Sequence, residues 1–365
     1  MSNSRKTNFD RRDFWVPDLR LRFNGHAASA AIQQDLLRIE YSDSLTQPGS
    51  CTLTLANWDG DRRNFKYLDE EVLELGQMLS LDLGYHSHIS LHPVFSGKIV
   101  SVEPNFPASG IPTIQISALN LLHNFMTSPQ TRVYEEMSLK DIVQQIAGRL
   151  NVKVVPPTNQ RANQIQPYRI QLNQPDMLFL MQLAADYDYE LFVEESGSSS
   201  KLVFKEANNI NKSIEELTYP HSLIKFTPRI NMESMVTSMT VSAANDLESE
   251  QGPISYTAEL KDISPAMEID VLGKRLKNQV GKIVDVPIKT KEAAKALAEG
   301  RLAQLADQVI TGSGQTFGLP KLRTGSKINL RGLGQRFSRQ YFVTGSTHIL
   351  DADGYVTKFT ARLEA

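Results

Sequence analysis

One cysteine, Cys51, stands in 365 residues. A single thiol excludes an intrachain disulfide and a cysteine-built metal knuckle. No apolar run approaches the roughly 20 residues needed to span a bilayer. The start, MSNSRKTNFDRRDFW, lacks the apolar centre of a secretory signal. A dominant charge is missing too: 39 Lys and Arg against 41 Asp and Glu leave a formal net charge of −2. No basic field therefore directs the chain to nucleic acid or to an anionic membrane surface. No G-x-S-x-G, H-E-x-x-H or Walker sequence occurs. The segment GSGQTFG at 312–318 follows a helical pattern rather than a strand, which is wrong for a phosphate loop. The expectation is a cytoplasmically made, reduced, soluble protein with no catalytic, cofactor or metal residue assigned.

What is present is mostly strand pattern. Leu19, Leu21 and Phe23 alternate with Arg20 and Arg22, and Gly25 closes the run. Residues 39–43, 50–56, QMLSLDLGY, VFSGKIVSV and TIQISAL keep the same period of two, with turn residues between them. Near residue 137 the period changes. Ser138 is placed to cap a helix carrying Leu139, Ile142, Ile146 and Leu150, and a second helix is expected over 177–185. The hairpin YELFVEE–SGSSS–KLVFKE follows. Strand character returns at 234–243. The stretch about 245–285 is expected to be an extended connection, and Thr290 to cap a helix over about 291–310 that glycines 312, 314 and 318 break. The short strands with turn signals between them point to an antiparallel barrel or sandwich, and the whole pattern gives an α+β, mainly β chain. Its division is a flexible segment 1–15, a first β-barrel domain 16–132, an inserted α+β domain 133–225 and a second β-barrel domain 226–365.

Each cluster with chemical potential has a plainer account. In YVTKFTARL, Tyr355, Thr357, Phe359, Ala361 and Leu363 share one side, the alternation of a half-buried strand. Asp351-Ala352-Asp353-Gly354 supplies hairpin-turn chemistry and lacks the further oxygens of a calcium loop. His348 shares a strand face with Phe342 and Leu350, which favours a packed, hydrogen-bonded imidazole. His86, His88 and His92 have metal-like spacing but no acidic residue or cysteine beside them. Asp69-Glu70-Glu71 and the run DYDYE at 186–190 are expected on solvated surface.

The chain also echoes itself. GQMLSLDLGY from Gly76 is similar to GSKINLRGLG from Gly325. The strand of Gly97, its turn and TIQISA are similar to the strand of Tyr341 and Gly345, its turn at Gly354, and YVTKFTA from Tyr355. Two related barrels in one chain produce such an echo.

The ordered set VPDLRLRFNG, IEYSDSLTQPGSCTLTLANWDG, LELGQMLSLDLGY, LKDIVQQIAGRLNV, IQLNQPDMLFLMQLAADYDYELFV, TKEAAKALAEGRLAQL and YFVTGSTHILDADGYVTKFTARLEA resembles the phage late control D family, hub proteins of contractile tails and related injection machines. The resemblance implies two similar antiparallel β-barrel domains, with the inserted domain between them and the long helix before the last strands. It implies a homotrimeric symmetry adaptor between a sixfold inner tube and a threefold spike that is a separate polypeptide, within an assembled particle with other baseplate proteins. The expected architectural residues are Gly76, Gly97, Gly325, Tyr341, Gly345, His348, Gly354 and Tyr355. Two other classes stay open: a cell-wall-degrading, muramidase-like component of the same machine, carried by the acidic clusters, and a carbohydrate-binding β-protein.

Overall fold

The computed structural model describes residues 16–364 apart from 69–72, 87–88, 159–160, 197–198, 207–214, 234, 244–253, 264–278, 285–287 and 289. The segment 1–15, the run Asp69-Glu70-Glu71, His88 and much of the expected connection lie outside the described residues.

The period-two runs form β1 (Pro17–Phe23), β2 (His26–Ala27), β3 (Leu36–Ser44), β4 (Ser50–Ala56), β5 (Met78–Tyr85), β6 (Ile89–Asn105) and β7 (Thr113–Asn120). Leu21, Ile39, Leu53, Leu81, Ile99 and Ile116, from six different strands, enclose one core. In space the order is β3-β4-β7-β6-β5-β1, each pair antiparallel.

The middle of the chain builds a separate small α+β unit. The strands are β8 (Pro129–Ser138), β9 (Val154–Val155), β10 (Ile165–Pro175), β11 (Tyr189–Ser196) and β12 (Ser199–Glu206). The Ser138 hydroxyl accepts the Asp141 N–H at 3.2 Å and starts helix α1 (Leu139–Arg149). Helix α2 (Asp176–Tyr187) ends on Asp188 in the left-handed region, φ 58°. Ile142 and Ile146 of α1 meet Leu180 and Leu183 of α2 over Leu202 and Phe204 of β12.

The last part carries β13 (Glu215–Thr218), β14 (Leu223–Ile230), β15 (Ser238–Ala243), β16 (Ile254–Glu259), β17 (Val280–Val284), β18 (Ile310–Phe317), β19 (Lys327–Arg331), β20 (Gln340–Asp351) and β21 (Gly354–Leu363). The Thr290 hydroxyl accepts the Ala293 N–H at 3.2 Å and opens helix α3 (Lys291–Asp307). Ala294, Leu297 and Leu302 of α3 seal the second core against Ile310, Ile328, Val343 and Phe359. Among the described residues no helix is long and apolar enough to cross a membrane.

Three expectations change. The expected extended connection contains strands: β16 and β17 flank β15 in a three-stranded sheet, whose Met239, Val241 and Ala258 join the second core. Residues 310–317 form strand β18, not a loop that breaks a helix. The glycines there make room for aromatic rings: a Cβ at Gly312 would lie 2.4 Å from Phe226, and one at Gly314 2.3 Å from Phe359. The mainly β, α+β class holds, but the barrels take a different form. Neither unit closes through strand pairing among the described residues. β20 instead pairs with β3, and both units join one 13-stranded sheet.

Candidate functional site

The pairings show the same arrangement twice. The second unit runs β14-β18-β21-β20-β19-β13, position for position the order β3-β4-β7-β6-β5-β1, and in the same chain order. Irregularities coincide as well. The β3–β4 ladder skips Leu37, and the β14–β18 ladder skips Ile224. The β6–β7 ladder skips Val100, and the β20–β21 ladder skips Thr344. A bulge is a local, directional feature, so two in register are more telling than strand order. Gly76 and Gly325 open equivalent strands with φ of 86° and 79°. The Gly76 N–H donates to the Ile99 carbonyl at 2.8 Å, and the Gly325 N–H to the Val343 carbonyl at 3.0 Å. The fifth and sixth strands depart: the β5–β6 ladder has two irregularities that β19–β20 lacks, and β1 is antiparallel to β5, whereas β13 is parallel to β19.

This register corrects the echo seen in the sequence. Ile99 and Val343 correspond, so Gly97 matches Tyr341, and Gly345 matches Ser101. Gly97 has its own reason to be glycine: a Cβ there would sit 2.2 Å from the Leu119 carbonyl oxygen.

The two units meet at the β20–β3 ladder, Gly345↔Ser44 through Leu350↔Ile39. Beneath it lies a buried polar network. Arg323 donates to the Tyr41 hydroxyl at 2.6 Å, and its Nε is 3.5 Å from Asp43 Oδ2. The Ser346 hydroxyl donates to Asp43 Oδ1 at 2.5 Å. Burial by itself lifts the Asp43 carboxyl; Arg323 and Ser346 outweigh it, and the group sits below the ordinary carboxylate value. His348 Nδ1 is 2.8 Å from the Tyr355 hydroxyl and 3.1 Å from that of Thr357, and its ring stacks on Tyr41 with centroids 5.7 Å apart. Burial first, and then Arg323, push its pKa down to about 4 against the pull of Asp43. Serine, histidine and aspartate thus lie close without forming a nucleophilic array. The serine proton goes to the aspartate, the aspartate does not orient the imidazole, and Ser346 and His348 are 3% and 0% exposed.

The other face of the sheet is polar and open to solvent. Lys225, Gln315, Lys358, Thr347, Ser42 and Ser50 stand in one row across six strands. The Ser42 and Thr347 hydroxyls are 3.0 Å apart across the seam. They floor a trough of about 550 Å³ whose lining includes Ser44, Ser313 and Thr360. This shallow surface of hydroxyls, amides and the two lysines Lys225 and Lys358 suits solvated contact rather than chemistry on one small molecule.

The remaining predicted residues are spread through the second unit and its seam. Tyr341 is fully buried and donates to the Phe337 carbonyl at 3.2 Å, Gly354 has φ 113° in the last hairpin, and Tyr355 packs on Tyr85 with centroids 5.8 Å apart. His86 is exposed just after β5, and His92 is partly buried in β6. The run 186–190 is not solvated surface, as expected from sequence. Asp186 pairs with Arg301 at 2.5 Å and with Arg169 at 3.5 Å, and Glu190 pairs with Arg362, which also binds Asp307 at 2.8 Å. These ion pairs fasten the inserted unit to α3 and β21. Asp43 and Arg323 are absent from the predicted residues. Asp43 did carry a signal, since it continues the buried parity of Ile39 and Tyr41.

The family described as the Alg8 N-terminal domain matches residues 16–352. No curated protein matches. Among solved structures, the 43 kDa tail protein of prophage MuSo2 from Shewanella oneidensis is similar at 13% identity and TM-score 0.69, over 95% of this chain and 98% of that one. A tail protein from Neisseria meningitidis is similar at 13% identity and TM-score 0.66, over 96% and 97%. The E. coli c3393 protein, a type VI secretion component with structural similarity to T4 tail proteins gp27 and gp5, is similar at 12% identity and TM-score 0.60, over 95% and 77%. At such identity the likeness is one of fold. The family carries a different label from the late control D resemblance, while the fold is that of tail and injection-machine proteins.

Proposed function

The chain belongs to the family of the Alg8 N-terminal domain, and from its fold and its internal repeat we propose that it is a structural hub of a contractile tail or injection-machine baseplate. It acts as a homotrimer. Three copies of a two-unit chain present six similar units to a sixfold inner tube and keep threefold symmetry for the central spike. Its place is the assembled particle, with other baseplate proteins around it. The carrying observation is the repeated strand order, with both bulges in register, in one continuous sheet. The fold shared with tail proteins and a type VI secretion component supports the setting. The polar face with its row of lysine, glutamine, serine and threonine side chains suits the wall of a water-filled passage, and the Asp43–Arg323 network holds the two units in fixed relation. The mechanism is shape and strand-edge complementarity, without a catalytic step. The eight glycines, tyrosines and histidine expected from sequence act as architecture.

Light scattering on the purified chain, alone and with a candidate tube protein, tests this. A trimer that binds the tube end supports it. A chain that stays monomeric alone and beside the tube protein removes it.

A further inference from the structure

Strand β11 is buried on both of its sides. Tyr189, Leu191 and Val193 enter the core of the inserted unit. Glu190 and Phe192 alternate with them and point the other way. Phe192 packs on Phe342 of β20, and Leu45, just after β3, joins the same cluster. A Cβ on Gly325 would lie 2.7 Å from the Phe192 ring, so the small residue there also admits that ring. Glu190 pairs with Arg362 of β21.

Five residues beyond Glu190, roughly 17 Å along the strand, Glu195 reaches the first unit. The Ser96 N–H of β6 donates to its carboxylate, and the Ser200 hydroxyl of β12 donates at 2.5 Å. The β11–β12 hairpin therefore crosses the joint between the two β units and holds each of them by a different carboxyl group.

Glu195 is crowded. The cation that faces it is Arg323, which already serves Asp43 and Tyr41 of β3. Two carboxylates thus share one guanidinium. His348 of β20 lies beyond Tyr41 and stays neutral, while Ser96 and Ser200 bring donors but no charge. Burial first, with Asp43 adding to it, holds the Glu195 carboxyl up at about 7 against Ser200, Arg323 and Ser96. The residue is only partly buried and stands next to exposed Ser196, so protons reach it from solvent.

We propose that the β11–β12 hairpin is a proton-latched brace: it locks the two β units at one mutual angle while Glu195 is protonated, and its Glu195 end lifts from β6 when that carboxyl ionises. A raised folded value gives stability that is full below the unfolded value and is lost as pH rises through the folded one. Opening should therefore grow by up to about tenfold per pH unit from about pH 5, and level off above pH 7.

Hydrogen exchange on the full chain, corrected for intrinsic rates, tests the latch. In the wild type, the amides around Glu195 and Ser96 should open about thirtyfold more at pH 7 than at pH 5. Glu195→Gln keeps the shape and can accept the same hydrogen bonds, so it should hold those amides closed at both. Glu194→Gln, opposite Lys201 on the same strand, should follow the wild type. Glu190 and Asp307 at the far end of the hairpin are also raised and His348 is lowered, so the reading is the difference between wild type and Glu195→Gln. Parallel pH profiles for those two proteins overturn the latch. Phe192→Ala, or the milder Phe192→Leu, tests the brace. Either should speed exchange of the β20 seam amides from Gly345 to Leu350, about tenfold for alanine, and leave the α1 amides as they are. Seam amides that exchange at the wild-type rate overturn the brace. Both outcomes are independent of the hub reading, since they concern one chain and not its assembly.

Discussion

Arg323 is the residue whose loss should most disturb the seam. It is almost wholly buried, lies 3.5 Å from Asp43 and donates to Tyr41 at 2.6 Å. Replacing it by methionine keeps much of the volume and leaves the Asp43 carboxylate buried with only hydroxyl and backbone donors. Removing one partner of a buried pair costs about 3–5 kcal/mol, because the remaining charge stays desolvated. At roughly 2–4 °C per kcal/mol for a unit of this size, the melting midpoint should fall by about 6–20 °C. Asp43→Asn combined with Arg323→Met removes both charges and should recover most of the loss. The pH dependence carries a sign. The Asp43 carboxyl is held below its ordinary value, so its contribution is present above the unfolded value and is lost as pH falls through the folded one. Without Arg323, burial dominates and raises that group, so the variant's deficit should shrink on acidification. Calorimetry at several pH values, with hydrogen exchange of the β3 and β20 amides, reads both effects. A loss under 1 kcal/mol at neutral pH, or a double variant as poor as the sum of the singles, would refute the claim that this pair holds the seam.

Two helix glycines should respond in opposite directions. Gly148→Ala in α1 meets nothing within 4 Å and should stabilise by about 0.5–1 kcal/mol in a denaturant titration. Gly300→Ala in α3 would set a Cβ 2.6 Å from the Asp186 carbonyl oxygen, and should destabilise by about 1–3 kcal/mol because backbone has to move. Asp307 is the third site. Burial first, with Asp188, Glu190 and Glu364 nearby, outweighs Arg362 and pushes its pKa up to about 8. A raised folded value gives stability that is full below the unfolded value and is lost as pH rises through the folded one. Asp307→Asn should therefore gain on the wild type between pH 5 and pH 8. The gain is at most about 4 kcal/mol, at roughly 1.4 kcal/mol per pH unit. Parallel pH profiles for the two proteins would refute it.

The regular parts of this fold were legible because they rest on local physics. Ser138 and Thr290 cap the helices they precede, and Tyr355 to Leu363 alternate as written. Gly76 and Gly325 announced the repeat because a positive φ selects glycine from either unit alone. Features that depend on distant partners were hidden. Gly312 and Gly314 look like helix breakers until Phe226 and Phe359 are brought over them. Asp186 and Glu190 look like surface charge until Arg301 and Arg362 arrive from far along the chain. Arg323 sits in a turn, where no periodicity marks a residue as buried. Asp43 was the missed opportunity: a carboxylate on a buried parity announces a partner, even if it does not name it.

Where the two units differ is as informative as where they agree. The four strands that would run round a ring, β3-β4-β7-β6 and β14-β18-β21-β20, match in order, direction and both bulges. The mismatch falls on β1 and β13, which lie beyond the first half of β6 and the first part of β20. The large additions, α3 and the β15–β17 sheet, enter between β14 and β18, where β3 and β4 have only a short turn. They reach the second core from outside the hydroxyl row, and the inserted α+β unit docks on α3 and β21. A pair of units kept alike only for stability has no reason to place its agreement there. A pair that must alternate around a closed ring has to keep its edges and bulges interchangeable, and is free to diverge everywhere a neighbouring copy does not touch.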